Sequence, residues 1–287
     1  MLATYGLLFI AFAALYAPPI PIGNGRELPA WWLVFVVAVA SGVIQGLIQW
    51  RAAFALGVLW ACAELSVREL AGERRARWQA VCILLAVAVA LHAVPDFPDP
   101  VVVQDLQLTR SSAVMTLRAN FDKGAAGLLL LAYFSDRPRA SEWPLLIGIG
   151  AGIGVATALV AIGFATAVGA IRFDPKWSEW ALAWMPINLL LTCVFEEMLF
   201  RRLLQRSLVE RLRRRPQLRW MPIALASALF GLAHAGGGPL LVVAATAAGV
   251  GYGLAYERTG RVEAAIVAHF VLNATHFFLF TYPYAAR

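Results

Sequence analysis

Residues 144–171 read PLLIGIGAGIGVATALVAIGFATAVGAI, without one Asp, Glu, Lys or Arg. A helix of that length exceeds the roughly 30 Å of hydrocarbon that a membrane span must cross. Reading outward from it gives nine further apolar runs, at 1–20, 31–49, 52–66, 79–94, 121–134, 179–200, 221–235, 239–256 and 262–281. The runs 52–66 and 121–134 are short for a span and could be tilted, re-entrant or covered by neighbours. The expected fold is therefore all-α, a polytopic integral membrane helical bundle with about 8–10 transmembrane helices. Met1 to Ala17 is apolar but has no basic residue ahead of it, so it reads as a retained first helix and not as a cleaved signal.

Composition agrees. Hydrophobic residues make up 61% of the 287 positions and charged residues 14%, and mean hydropathy is +0.70. A soluble domain carries about 25% charged residues, so a chain this apolar could not cover its surface in water. The net charge of +7 comes almost entirely from arginine. In such a chain, lipid headgroups and topology explain the basic excess, and nucleic acid is not an expected partner. Cys62, Cys82 and Cys193 sit in apolar runs without ligand spacing and read as small buried hydrophobes.

The loops set an orientation. With ten crossings, Arg26, Arg68, Arg74, Arg75, Arg77, Arg137, Arg139, the eight arginines of 201–219, Arg258 and Arg261 fall on one side, 17 of the 24 basic residues. The positive-inside rule makes that side cytoplasmic and puts the N-terminus outside. Segment 95–120 opens with PDFPDP, which excludes a helix there. It reads as an outer loop or interfacial element.

Ionisable residues inside spans are expensive and point to function. Here they concentrate late. LLLTCVFEEMLFRR places Glu196 and Glu197 at a helix end, with Glu197 and Arg201 spaced i,i+4 in the favourable order for an ion pair. Adjacent residues point about 100° apart on a helix, so Glu196 should face elsewhere and be available for chemistry. SALFGLAHAGGGP places His234 near a helix end, one turn after Phe230. VEAAIVAHFVLNATHFF places His269 and Asn273 on one face, with His276 close to it. Taken singly, each is also what a snorkelling ion pair or an interhelical hydrogen bond would look like. Together they are two glutamates and three of the four histidines on three neighbouring helices. A buried carboxylate can take a proton from water. His234 can orient that water or shuttle the proton, and His269 with Asn273 can donate hydrogen bonds to a developing oxyanion. No serine or cysteine stands in a nucleophile motif. The remaining histidine, His92, is alone near a helix end and reads as structural.

EEMLFR, FGLAH and HFVLN, in that order, resemble the EExxxR, FxxxH and HxxxN motifs of the CAAX-protease and bacteriocin-processing (CPBP) family. AAGVGYGLAYERTG resembles that family's glycine-rich helix, and its Ala245, Gly249 and Gly253 recur every four residues, which permits close helix packing. The resemblance covers roughly 180–280. It implies an N-terminal transmembrane region over 1–140 and a CPBP-like intramembrane protease core over 141–287. It also implies a glutamate-type endopeptidase with Glu196 and His234 activating water, His269 and Asn273 as the oxyanion pair, and Glu197 and Arg201 in support. The family often has glycine after the motif arginine, where this chain has Arg202; that bears on substrate access.

The expected partners are a membrane protein or peptide substrate and the lipid bilayer, and the expected location is a bacterial inner membrane. No cofactor is expected. A zinc-dependent variant is an alternative, although no HExxH is present. A non-catalytic scaffold or immunity protein is another. A transporter would more often show repeated halves, and none is visible. The sequence sets neither the oligomeric state nor the substrate.

Overall fold

The structure, a computed structural model, describes residues 1–68, 73–94, 96–97 and 100–286. Each of the ten apolar runs is helical. In chain order the helices are α1 (Leu2–Ala14), α2 (Ala30–Ile44), α3 (Trp50–Arg68), α4 (Glu73–Ala90), α5 (Phe121–Phe134) and α6 (Trp143–Ala167). They continue with α7 (Ala181–Leu212), α8 (Met221–Ala233), α9 (Pro239–Thr259) and α10 (Val262–Leu279). Among the described residues, five helices are long and apolar enough to cross a membrane: α3, α6, α7, α9 and α10, with α6 extended back to Ala140. The run 52–66, short in sequence, is thus part of a 19-residue helix. The protein is a polytopic all-α membrane protein.

Among the described residues, two small two-stranded sheets interrupt the helices. β1 (Ile20–Gly23) and β2 (Arg26–Leu28) pair antiparallel across Asn24–Gly25. Both turn residues have positive φ, 51° and 70°, which Asn and Gly tolerate and a tight two-residue hairpin requires. The first apolar run therefore stops at Ala14, short of residue 20. β3 (Val101–Leu106) and β4 (Met115–Arg118) form a second two-stranded sheet within the segment expected to be irregular. Pro95, Pro98 and Asp99 of the PDFPDP motif lie outside the described residues.

The chain divides into two compact units. One comprises Met1–Val101, Arg118–Arg137 and Leu190–Phe195; the other Val102–Leu117, Pro138–Leu189 and Glu196–Arg287. In the first, Gly124 and Gly127 of α5 lie against Leu191 and the Phe195 backbone. His92 Nδ1 lies 2.6 Å from Oδ2 of buried Asp122, and its Nε2 meets the Asn120 amide at 3.0 Å, a structural pairing.

The second unit is built on small residues. Gly150 and Gly154 of α6 face α10 so closely that a Cβ would stand 2.6 Å from the Ala264 carbonyl and 2.8 Å from that of Ala268. On α9, Ala245 is buried, Gly249 faces Ser227 of α8, and Gly253 faces Gln205 of α7 and Ile223 of α8. Without a Cβ at these points the backbones can approach, which in lipid supplies the dispersion contacts that hold helices together. The loops of this unit gather in two sets. Thr109 and Ser111 donate to Asp174, the Arg172 N–H donates to Thr281 Oγ1 at 3.0 Å, and Ser112 bridges Ala285. In the other set, Arg261 pairs with Glu142 at 3.1 Å. Burial works to raise the Asp174 carboxyl, but the Ser111 and Thr109 hydroxyls and Lys176 outweigh it and hold it below its ordinary range.

Candidate active site

α7 carries the glutamates and is not a plain α-helix. It starts as one over Ala181–Pro186, widens to a π-helix over Ile187–Cys193, returns to α at Val194–Glu197 and widens again over Met198–Gln205. Pro186 has no N–H to give to the preceding turn, so the regular ladder cannot pass through it. The five-residue register begins at the next residue. Such π segments occur often at functional sites, and here they flank Glu196 and Glu197 on both sides.

The two neighbouring glutamates meet the same imidazole. Glu197 is fully buried; its Oε2 accepts from Arg201 Nε at 3.0 Å and its Oε1 accepts from His269 Nδ1 at 2.8 Å. Glu196 Oε2 lies 4.0 Å from the other nitrogen of His269, Nε2. Spacing alone predicts the ion pair with Arg201 and sends Glu196 to a separate face. The pair is present. The separation is not, because two long side chains 100° apart can converge on a ring lying between them.

Aromatic rings fix His269 in place. Tyr252 of α9 stacks on it at 4.5 Å and 12°, and Phe230 of α8 meets it edge-on at 5.8 Å. Phe230 also touches His234, Phe200 and the Arg201 guanidinium. His234 follows the last residue of α8, and its Nδ1 lies 2.8 Å from the Phe230 carbonyl. A carbonyl only accepts, so the Nδ1 proton is fixed and Nε2 is the nitrogen left for chemistry in the neutral ring. Phe230 is thus the ring that both histidines share.

Asn273 lies one turn beyond His269 on α10 and donates from Nδ2 to Asn188 Oδ1 at 3.1 Å. Sequence reasoning missed Asn188. The available signal was a lone amide inside an apolar run, INLLLTC, eight residues before Glu196. His276 points elsewhere: its Nε2 donates to the Thr281 carbonyl at 3.2 Å and its ring packs on Tyr282. Arg202 is half-buried beside the fully buried Arg201. All three cysteines are buried thiols. Among the described residues no group of three or more His, Cys, Asp or Glu is arranged to hold a metal ion.

Residues 178–275 match the family model described as type II CAAX prenyl endopeptidase Rce1-like. This segment is similar to that family. It is roughly a third of the chain, and it begins just ahead of α7 and ends within α10. The Rce1-like segment contains Glu196, Glu197, Arg201, His234, His269 and Asn273, together with Asn188 and the aromatic rings that pack on His269. The motifs quoted from the sequence and the family match therefore converge on the same helices. Neither a curated protein nor a solved structure matches the chain.

Proposed function

We propose that the chain is an intramembrane endopeptidase in which Glu196 activates water for direct attack on a peptide bond of a membrane-associated protein or peptide. The observation that carries this reading is His269, held on one nitrogen by Glu197 and facing Glu196 across 4.0 Å on the other. That gap is too long for a direct hydrogen bond and suits an interposed oxygen.

In the proposed reaction Glu196 takes a proton from water as the oxygen adds to the scissile carbonyl carbon. His234 Nε2 accepts the hydrogen bond of the water's other proton. The carbonyl oxygen becomes an oxyanion that receives hydrogen bonds from His269 Nε2 and the Asn273 amide. In that role His269 donates from Nε2 while its Nδ1 stays on the Glu197 carboxylate. Collapse breaks the C–N bond, and the leaving amine takes its proton from Glu196. No covalent enzyme intermediate forms.

The geometry of α8 supports this placement. At 1.5 Å per residue its 13 residues span roughly 20 Å, so His234 falls short of a full crossing. The AGG turn that follows is exposed, and non-helical backbone at membrane depth is tolerated where it lines a water-filled cavity. The family's description makes a prenylated C-terminal tail the first substrate to try.

The decisive experiment compares membrane and secreted proteomes of cells carrying wild-type protein and Glu196→Gln. At least one membrane-associated protein should accumulate uncut only in the variant. Identical proteomes would remove the protease reading and leave a scaffold. We also read the reaction as metal-free, because both Glu197 oxygens and His269 Nδ1 are committed to protein partners. Cleavage should then survive a strong chelator; loss of activity restored by zinc would replace this mechanism with a metalloprotease.

A further inference from the structure

Arg201 is fully buried, and only one of its nitrogens has a protein partner. Nε serves Glu197, whereas Nη1 and Nη2 have no hydrogen-bond partner. Two more buried polar atoms beside them share that condition, Gln205 Oε1 and Ser227 Oγ. Gln205 is one turn further along α7, and its amide nitrogen donates to the Gly253 carbonyl at 3.1 Å. The three residues border the glycine face of α9. A Cβ on Gly253 would stand 2.9 Å from Gln205 Oε1 and 3.4 Å from Arg201 Nη1. A Cβ on Gly249 would stand 3.4 Å from Nη2 and 3.1 Å from the Ser227 Cβ. The face of the guanidinium is covered by Phe230, with Cζ 5.6 Å from the ring centre, so its N–H edges are what remain to be satisfied.

This set is rich in donors. Two Nη atoms carry four N–H groups and serine adds an O–H, against one amide oxygen and the serine lone pairs. Unpaired, such groups are costly in a low-dielectric interior. Water relieves the imbalance, since one molecule accepts from an Nη and donates to a neighbour, and a buried water typically makes about three such bonds. We infer that Arg201, Gln205 and Ser227 hold ordered water against the Gly249–Gly253 face of α9, and that this buried hydration site fixes the guanidinium that fixes Glu197 and His269. Gln205 and Ser227 are then positioning residues for the active site. This deepens the protease reading and rests on it only for its consequence in catalysis.

Ser227→Ala separates the alternatives. A hydroxyl with no partner is lost at no cost, and its removal would be neutral or stabilising. A hydroxyl that holds water on Arg201 is not. In full-length protein purified in detergent and labelled at histidine nitrogen, Ser227→Ala and Gln205→Leu should move the His269 ring resonances and leave those of His92 in place. A melting temperature equal to or above wild type with an unmoved His269 signal overturns the inference. A map of the wild-type protein that resolves ordered solvent gives an independent test should a variant fold poorly. Solvent peaks are expected between Nη1 and Gln205 Oε1 and between Nη2 and Ser227 Oγ; direct protein partners on both Nη atoms would overturn it. With a farnesylated, quenched-fluorescent CAAX peptide, both variants should lose kcat several-fold at unchanged KM. Cleavage that persists in Glu196→Gln removes the protease reading instead, while the solvent peaks and the His269 shift stand or fall by themselves.

Discussion

Glu196 and Glu197 are adjacent in the chain and reach opposite nitrogens of one imidazole. The i,i+4 spacing gave access to half of this arrangement, because an ion pair within a helix follows from local geometry. The bond from His269 to Glu197 spans 72 residues and needs the packing of α10 on α7, which no local pattern encodes. Asn188 was hidden for the same reason. Its partner lies 85 residues away, and a lone amide in a span also reads as ordinary helix–helix glue. Its position gives a graded prediction. In the proposed mechanism Asn273 donates to the oxyanion, and removing such a donor costs about 10²–10³ in kcat, so Asn273→Ala should fall in that range. Asn188→Ala removes only the group that orients Asn273 and should cost less, about 10-fold or somewhat more, as second-layer partners do around other sites. Steady-state kinetics of both variants on one substrate checks the order. Asn188→Ala matching or exceeding Asn273→Ala would mean that Asn188 itself contacts the substrate.

The ten helices were legible at the scale of elements, because runs of apolar residues declare themselves regardless of tertiary context. The small sheets were not. The β1–β2 turn carried a clear Asn-Gly signal, but β1 is itself apolar and was absorbed into the first run. The π segments of α7 were also out of reach, since hydropathy is blind to hydrogen-bond register. Glycine spacing proved the more informative pattern. On α6, Gly150 and Gly154 face α10, whereas at Gly148 and Gly152 nothing lies within 4 Å of an added Cβ. The two faces should therefore respond in opposite ways. Gly154→Val forces bulk into the Ala268 carbonyl and should cost about 1–3 kcal/mol or more, the range for overpacking. Gly152→Ala adds helix propensity in open space and should be neutral or slightly stabilising, by up to about 1 kcal/mol. Thermal unfolding of the two proteins in the same detergent makes the comparison. Equal destabilisation would mean that α6 is not packed on α10 through this stripe.

At the scale of the whole molecule, the ten crossings expected from the sequence would sort the loops into two groups. In the second unit, 102–117, 170–178 and 281–286 follow an even number of helices, and they bond to one another through Asp174, Thr281 and the Ser112–Ala285 bridge. The segments before α6 and α10, which follow an odd number, meet through Arg261 and Glu142. This sorting is independent of charge, yet the arginines obey it. Arg137, Arg139, Arg258, Arg261 and the cluster of 201–219 all fall in the odd group, which the positive-inside rule assigns to the cytoplasm. The native cysteines are buried, so single cysteines placed at exposed positions report cleanly to an impermeant maleimide in intact spheroplasts. Arg110→Cys and Glu179→Cys should label from outside, and Arg214→Cys and Arg258→Cys only after the membrane is opened. Labelling of the second pair in intact spheroplasts would invert the topology. The outcome also bears on catalysis, because Glu196 lies a little over one turn before the first arginine of the cluster. If that cluster is cytoplasmic, the scissile bond must approach Glu196 from the cytoplasmic half of the bilayer, and proteins cut in the wild type but not in Glu196→Gln should carry their cleavage sites near their cytoplasmic ends.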